Sequence, residues 1–236
     1  MLDEGWTFET DFDGATGDGV LQKTRLFQVY LQSDPKSTGR VTVPVLWDRQ
    51  AGTIVSNESS EIIRMFNSAF DQLTGNDLDF WPMAMRDDIE EINNDIYQNV
   101  NNGVYRSGFA TRANAYEQAV SQLFASLDSL ELRLTGKRYL LGNTLTEADW
   151  RLFTTLVRFD AVYFGHFKCN IRSIADYPAL SGFMRELYQI PGIADTVNMN
   201  HIKYHYYASH LNINPTGIVP VGPEQDFGAP HGRAHL

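Results

Sequence analysis

Residues 41–48, VTVPVLWD, constrain this chain more tightly than any other stretch. Val41, Thr42, Val43 and Val45 favour extended backbone. Pro44 sits among them, and proline cannot donate to a sheet ladder. Two readings follow from the residues alone: an ordinary edge-strand proline, which the dipeptide by itself favours, or a cis peptide that turns the Val43 N–H and C=O toward a ligand. The polar turn Arg49-Gln50-Ala51-Gly52 leads into Thr53-Ile54-Val55, so the pair reads as a β-hairpin. Helical periodicity lies on either side. Residues 20–32 place Leu21, Phe27 and Tyr30 toward one face, until Pro35, Ser37 and Gly39 break the pattern. After the hairpin, Ser56-Asn57-Glu58-Ser59 open a second helix, in which Ile62, Ile63, Phe66 and Phe70 recur at helical spacing. With a Gly- and Asp-rich loop at 1–19, the first 75 residues form a small α/β unit ordered helix, hairpin, helix.

Residues 72–82 read as a linker, and from about 83 the pattern is helical throughout. A helix rich in Asp, Glu and Asn is expected at 83–102. A long amphipathic one is expected at 112–134, with Tyr116, Ala119, Leu123, Leu127, Leu130 and Leu134 on one side and Gly136 to end it. Thr146-Glu147-Ala148-Asp149 is a reciprocal N-cap pattern with Asp in the usual Glu position, and reads as folding structure. Further helices are expected at 178–189 and 199–209, kept apart by Pro191. The fold class is therefore α/β at 1–75 followed by an all-α domain at 83–210. A Pro- and Gly-rich tail at 211–236 is expected to run extended over the surface with frayed ends.

The net charge is −10 and the pI about 5.0, which disfavours nucleic acid and anionic membrane as partners. No apolar run approaches the roughly 20 residues of a membrane span, and the first residues lack the features of a signal peptide. A single cysteine, Cys169, permits no internal disulfide, and a reducing cytosol is the expected compartment. Cys169 reads as a structural or incidental thiol. His201, His205 and His210 have near-helical spacing but no Cys or acidic partner with matching geometry. They read as a solvated helix face, and no metal site is expected. Glu58-Ser59 alone reads as a helix cap, and any one of 11 tyrosines as a half-buried packing residue.

The ordered set is more informative than its parts: strand, Val-Pro, strand, then Glu-Ser at a helix start. It resembles the second half of the thioredoxin-like domain of glutathione transferases. GWTF at 5–8, GRVTVPVLWD at 39–48, NESSEIIRMFN at 57–67 and NNGVYRSGFA at 101–110 narrow the resemblance to the glutathionyl-hydroquinone reductases, the xi class. LVRFDAVYFGHFKCN at 156–170 and NPTGIVPVGPEQDFGAPHGR at 214–233 do so as well. The resemblance implies a partial thioredoxin-like domain followed by the all-α glutathione-transferase C-terminal domain. It implies glutathione as co-substrate, glutathionylated quinols as partners and a homodimer through the helical domain, with the helix at 112–134 as a candidate contact unless it is all core. By the same resemblance Trp6 contacts the glutathione, Arg40, Val41, Thr42 and Val43 line it, and Glu58 and Ser59 bind its γ-glutamyl end. A helix N-terminus suits that carboxylate, and Glu suits its ammonium. Tyr105 is the implied acid/base for the quinol proton, and Tyr163 and Tyr206 the implied donors to the nucleophilic thiol.

The family reaction needs a thiolate in a Cys-Pro-Trp motif at the start of a first helix, and the sequence has no such motif. Met1 to Trp6 resembles a stretch inside the family's first domain. The expectation is therefore a chain lacking the first strand–helix–strand unit, inactive as written, with strand 41–48 left as an exposed apolar edge. A non-catalytic glutathione-binding or dimerising module is the alternative. An ordinary transferase using Tyr or Ser is disfavoured, because that residue belongs to the same absent segment.

Overall fold

The computed structural model describes residues 5–236; Met1 to Glu4, part of the expected N-terminal loop, lie outside the described residues. The chain divides into two compact units, Met1–Asp79 and Phe80–Leu236.

In the first unit, Trp6 to Phe8 run antiparallel to Thr24 to Leu26, with Phe8 N–H donating to Thr24 O and Leu26 N–H to Trp6 O, both at 3.0 Å. Helix α1 (Leu26–Ser33) starts later than the periodicity suggests. The Asp18 carboxylate draws the N–H groups of Val20, Leu21 and Lys23 into a turn. The Gln28 side chain then caps the helix through the N–H groups of Thr24 and Arg25. Strand β1 (Leu46–Asp48) pairs antiparallel with β2 (Thr53–Ser56) across a turn that Asp48 closes by accepting from Gln50 and Ala51. The strand expected over 41–48 is thus regular only in its last three residues, and the Val43–Pro44 peptide is cis. Helix α2 (Ser59–Ser68) follows, then a single turn α3 (Asp71–Thr74) that overlaps the start of the expected linker.

Leu26, Val29 and Ile62 are the buried apolar side chains among the described residues of this unit. Phe27, Leu31, Val43, Val55, Ile63, Phe66 and Phe70 are exposed. An amphipathic helix whose apolar face remains in water gains little from the hydrophobic effect. Within 41–48, Val43 and Pro44 are exposed while Val41, Val45, Leu46 and Trp47 are half-buried, and both helices expose apolar side chains.

The second unit holds the core. A 3-10 turn (Met83–Met85), α4 (Arg86–Asp95), a π-helical turn (Ile96–Asn101) and α5 (Asn102–Gly108) replace the single helix expected at 83–102. The wider π turn keeps Ile96, Val100 and Val104, each four residues apart, facing inward and fully buried. Asn101 fixes it by donating to Arg151 O and Thr155 Oγ1. Helix α6 (Ala113–Thr135) buries Ala119, Leu123, Leu127, Leu130 and Leu134 in this chain's own core, so its apolar face is not free for a dimer. Helix α7 (Glu147–Arg158) begins at the expected reciprocal cap, with Thr146 N–H donating to Asp149 Oδ2 at 2.8 Å. A second π turn (Phe159–Tyr163) runs into the short α8 (Phe164–His166).

Helix α9 (Pro178–Tyr188) is capped from a distance: the Glu131 carboxylate accepts from the N–H groups of Ala179 and Leu180, both at 2.8 Å. Helix α10 (Met199–Ser209) is capped by Asn198. The tail is not frayed at its end. Phe227 packs on Tyr188, Gln189 donates to Phe227 O and Ala229 O, and Arg233 inserts into the bundle at 4% exposure. No helix among the described residues is long and apolar enough to cross a membrane.

Candidate functional site

The residues implied by the resemblance fall into two groups, one in each unit. In the first unit Trp6 is half-buried in its short pairing with Leu26. Arg40, Thr42 and Val43 are exposed and Val41 half-buried. Two residues missed in the sequence hold this segment. The Tyr30 hydroxyl donates to Thr42 O at 2.9 Å, and the Asn57 amide donates to Thr42 Oγ1 at 3.0 Å. Asn57 directly precedes Glu58 and Ser59, so it ties the 40–43 segment to the start of α2. Glu58 is the N-cap residue, but its side chain makes no cap hydrogen bond. Ser56 instead holds the entry to the helix: its Oγ accepts from Glu58 N–H at 3.1 Å and donates to Glu61 Oε2 at 2.8 Å. The Glu58 carboxylate and Ser59 hydroxyl are thus exposed at a helix N-terminus, which suits a ligand carrying both an ammonium and a carboxylate.

In the second unit the three implied tyrosines converge. Tyr206 Oη lies 2.6 Å from Tyr105 Oη and 2.8 Å from Tyr163 Oη, so one phenol bridges the other two. They come from α5, the second π turn and α10, elements far apart in sequence. Tyr163 and Tyr206 are 3% and 4% exposed, while Tyr105 is 39% exposed at the open end. Burial pushes the phenols of Tyr163 and Tyr206 above the usual tyrosine range; Tyr105 and Tyr206 push Tyr163 the same way, and Tyr105 does so for Tyr206, while the hydrogen bond with Tyr163 pulls Tyr206 partly back. Both therefore stay protonated donors. Phe109 and Phe167 wall the cluster, with Phe109 stacked on Tyr105 at 6.4 Å and Phe167 on Tyr163 at 5.6 Å.

The histidines are not a solvated face. His210 is buried, and His201 and His205 are half-buried. His210 Nδ1 lies 3.2 Å from His166 Nε2 beside the tyrosines. Among the described residues no group of three or more His, Cys, Asp or Glu is arranged to hold a metal ion. Cys169 is fully buried, and its thiol faces the carbonyls of Val104 and Phe167 at 4.0 and 3.8 Å. Burial pushes that thiol up to about 12.

A family model described as the glutathione S-transferase C-terminal domain matches residues 113–186. The chain is 58% identical over 233 residues to glutathionyl-hydroquinone reductase YqjG of Escherichia coli, covering 99% of this chain and 71% of that protein. It is 54% identical to glutathionyl-hydroquinone reductase PcpF of Sphingobium chlorophenolicum, covering 95% of this chain and 72% of that protein. The chain belongs to the glutathionyl-hydroquinone reductase family. The glutathione-bound structure of the Escherichia coli protein superposes with a TM-score of 0.98 at 57% identity, over 100% of this chain and 77% of that one. A xi-class transferase from Natrialba magadii superposes at 0.96 with 47% identity, over 99% of this chain and 71% of that one. The two units are accordingly a thioredoxin-like part with a small sheet and the transferase helical domain, as the sequence led us to expect.

Proposed function

We propose that this protein acts in the glutathione-dependent reduction of glutathionyl-hydroquinones. The observation that carries this reading is the tyrosine triad, in which two buried phenols kept protonated hold the more exposed Tyr105. Glutathione is the co-substrate. Trp6, Arg40, Val41, Thr42 and Val43 contact it, and Glu58 and Ser59 take its γ-glutamyl ammonium and carboxylate. In the reaction that the resemblance implies, the thiolate of a Cys-Pro-Trp motif, which these 236 residues do not include, attacks the glutathionyl sulfur, and the carbon–sulfur bond to the quinol ring breaks. The ring carbon takes a proton from Tyr105, giving free hydroquinone and a mixed disulfide. A second glutathione then attacks that disulfide, restores the thiol and leaves as oxidised glutathione. Tyr163 and Tyr206 donate hydrogen bonds that favour the thiolate. A homodimer through the helical unit belongs to the same proposal.

The attacking thiol is not Cys169. A thiol raised to about 12 and closed off from solvent has almost no thiolate near neutrality. With no other cysteine among them, the 236 residues on their own are expected to release no hydroquinone, and glutathione binding without turnover is the second reading. The test uses the purified chain with a glutathionyl-hydroquinone and glutathione. No hydroquinone release, together with calorimetric binding of glutathione that Glu58→Ala weakens, is the expected result. Turnover abolished by Cys169→Ser would refute it, and absence of glutathione binding would refute the assignment of the first unit. Sedimentation of the same sample reads the dimer.

A further inference from the structure

Helix α10 meets the Phe159–His166 segment through two rungs. One joins Tyr206 to Tyr163 by a hydroxyl pair at 2.8 Å, and the other joins His210 to His166 at 3.2 Å. On one side the rungs are four residues apart, with His210 the residue that ends α10, and on the other three, so each pair lies on one side of its segment. Tyr207 adds a weaker tie to Ala161 O at 3.3 Å. A single rung lets one helix pivot about it, whereas two rungs fix both height and rotation. The position of Tyr206 Oη is demanding, since it must reach Tyr105 and Tyr163 together.

The histidine rung suits that task. Both residues are buried, at 5% and 7% exposure, and their rings stack at 5.4 Å and 23°. Burial holds both imidazoles down, to about 4, so near neutrality each is uncharged with one N–H and one bare nitrogen. One ring then donates and the other accepts, a directional bond that an apolar pair of the same size does not supply. The surroundings carry the restraint to the phenols. His210 lies against Phe109 at 5.3 Å and Tyr206 at 5.6 Å, while His166 lies against Phe167 at 5.2 Å and Tyr207 at 4.7 Å.

We propose that His166 and His210 are positioning residues of the quinol site, a hydrogen-bonded pair that sets the register of α10 so that Tyr206 bridges Tyr105 and Tyr163. This rests on the triad being the quinol site, and the test keeps the two ideas apart. The chain is labelled with 13Cζ-tyrosine, and the Tyr206 resonance is assigned by its loss in Tyr206→Phe. His210→Phe keeps a ring and removes the bond. The expected result is a Tyr206 resonance moved toward its position in Tyr163→Phe, an unchanged far-ultraviolet spectrum, and hydroquinone binding weakened about tenfold. His166→Gln, whose amide reaches close to the Nε2 position, is expected to retain both signals. If His210→Phe does not fold, the contrast between His166→Gln and His166→Leu replaces it. A Tyr206 resonance unmoved in the folded variant overturns the proposal. A moved resonance in a chain that binds no hydroquinone supports the positioning role and refutes the triad as the quinol site.

Discussion

Removing the Arg233 side chain tests how the tail holds the helical unit. Its guanidinium donates to Leu134 O at 3.2 Å, Ala179 O at 3.4 Å, Lys137 O at 2.5 Å and Arg138 O at 2.8 Å. Its Nε lies 3.4 Å from Glu186 Oε2, an ion pair whose angle gives no hydrogen bond. These partners are the end of α6, the loop after it and the first turn of α9, so one side chain joins three segments. Arg233→Ala leaves four carbonyls short of a donor. It does not leave Glu186 alone, because Arg138 Nε holds Glu186 Oε1 at 2.6 Å. Hydrogen bonds to a charged group contribute about 1.5 to 3 kcal/mol each, though not additively. Losing one partner of a buried pair costs about 3 to 5 kcal/mol. Burial disfavours the charge on Arg233, a desolvation cost that removal recovers, and the retained Arg138 lowers the loss further. The expected destabilisation is about 3 kcal/mol. At roughly 2 to 4 °C per kcal/mol for a unit of this size, the calorimetric Tm falls by about 6 to 12 °C. Arg233→Lys should fall between, since an ammonium has three donors and no planar fork. A fall of less than about 2 °C in Arg233→Ala would refute the strap.

Three other outcomes follow from buried groups. Burial raises Asp149 to about 6, against the N–H groups of Leu140 and Thr146, which pull it down. A folded pKa above the unfolded one means that stability is lost as pH rises from about 4 to 6. Across that window, urea melts should show the wild type losing up to about 3 kcal/mol relative to Asp149→Asn; a constant difference would contradict the shift. Cys169 should react with a disulfide reagent at pH 8 only after denaturation, and rapid labelling of the native chain would place the thiol at the surface. A Cβ at Gly108 would overlap the Phe167 ring. Gly108→Ala should therefore cost about 1 to 3 kcal/mol and disturb the near-ultraviolet signal of the tyrosines packed on that ring. An unchanged melt and spectrum would mean that the ring moves aside freely.

The candidate site was legible only in part. Glu58, Ser59 and the residues around Val43-Pro44 stand close together in sequence, and it was the family resemblance carried by their order that implied one ligand. Tyr30 and Asn57 escaped notice because what they hold is Thr42, 12 and 15 residues away, and no periodicity encodes that reach. The histidines were misread for a related reason. Spacing along α10 shows which residues share a face, but only the contact with His166 shows that His210 is buried.

Local physics determined the elements themselves. The helical cap at Thr146, the α6 stripe and the hairpin turn at Asp48 are short-range patterns that any context would honour. Tertiary structure alone decided the rest. The π turn at Ile96–Asn101 exists because side chains four residues apart must all face one core, and Asn101 is held by α7. The Tyr105, Tyr163 and Tyr206 phenols meet only through the packing of three separated elements. Arg233, in a tail expected to run over the surface, is buried because carbonyls from distant helix ends converge where its fork can reach them. Each of these depends on groups brought together across long stretches of chain, where a one-dimensional pattern carries no distance.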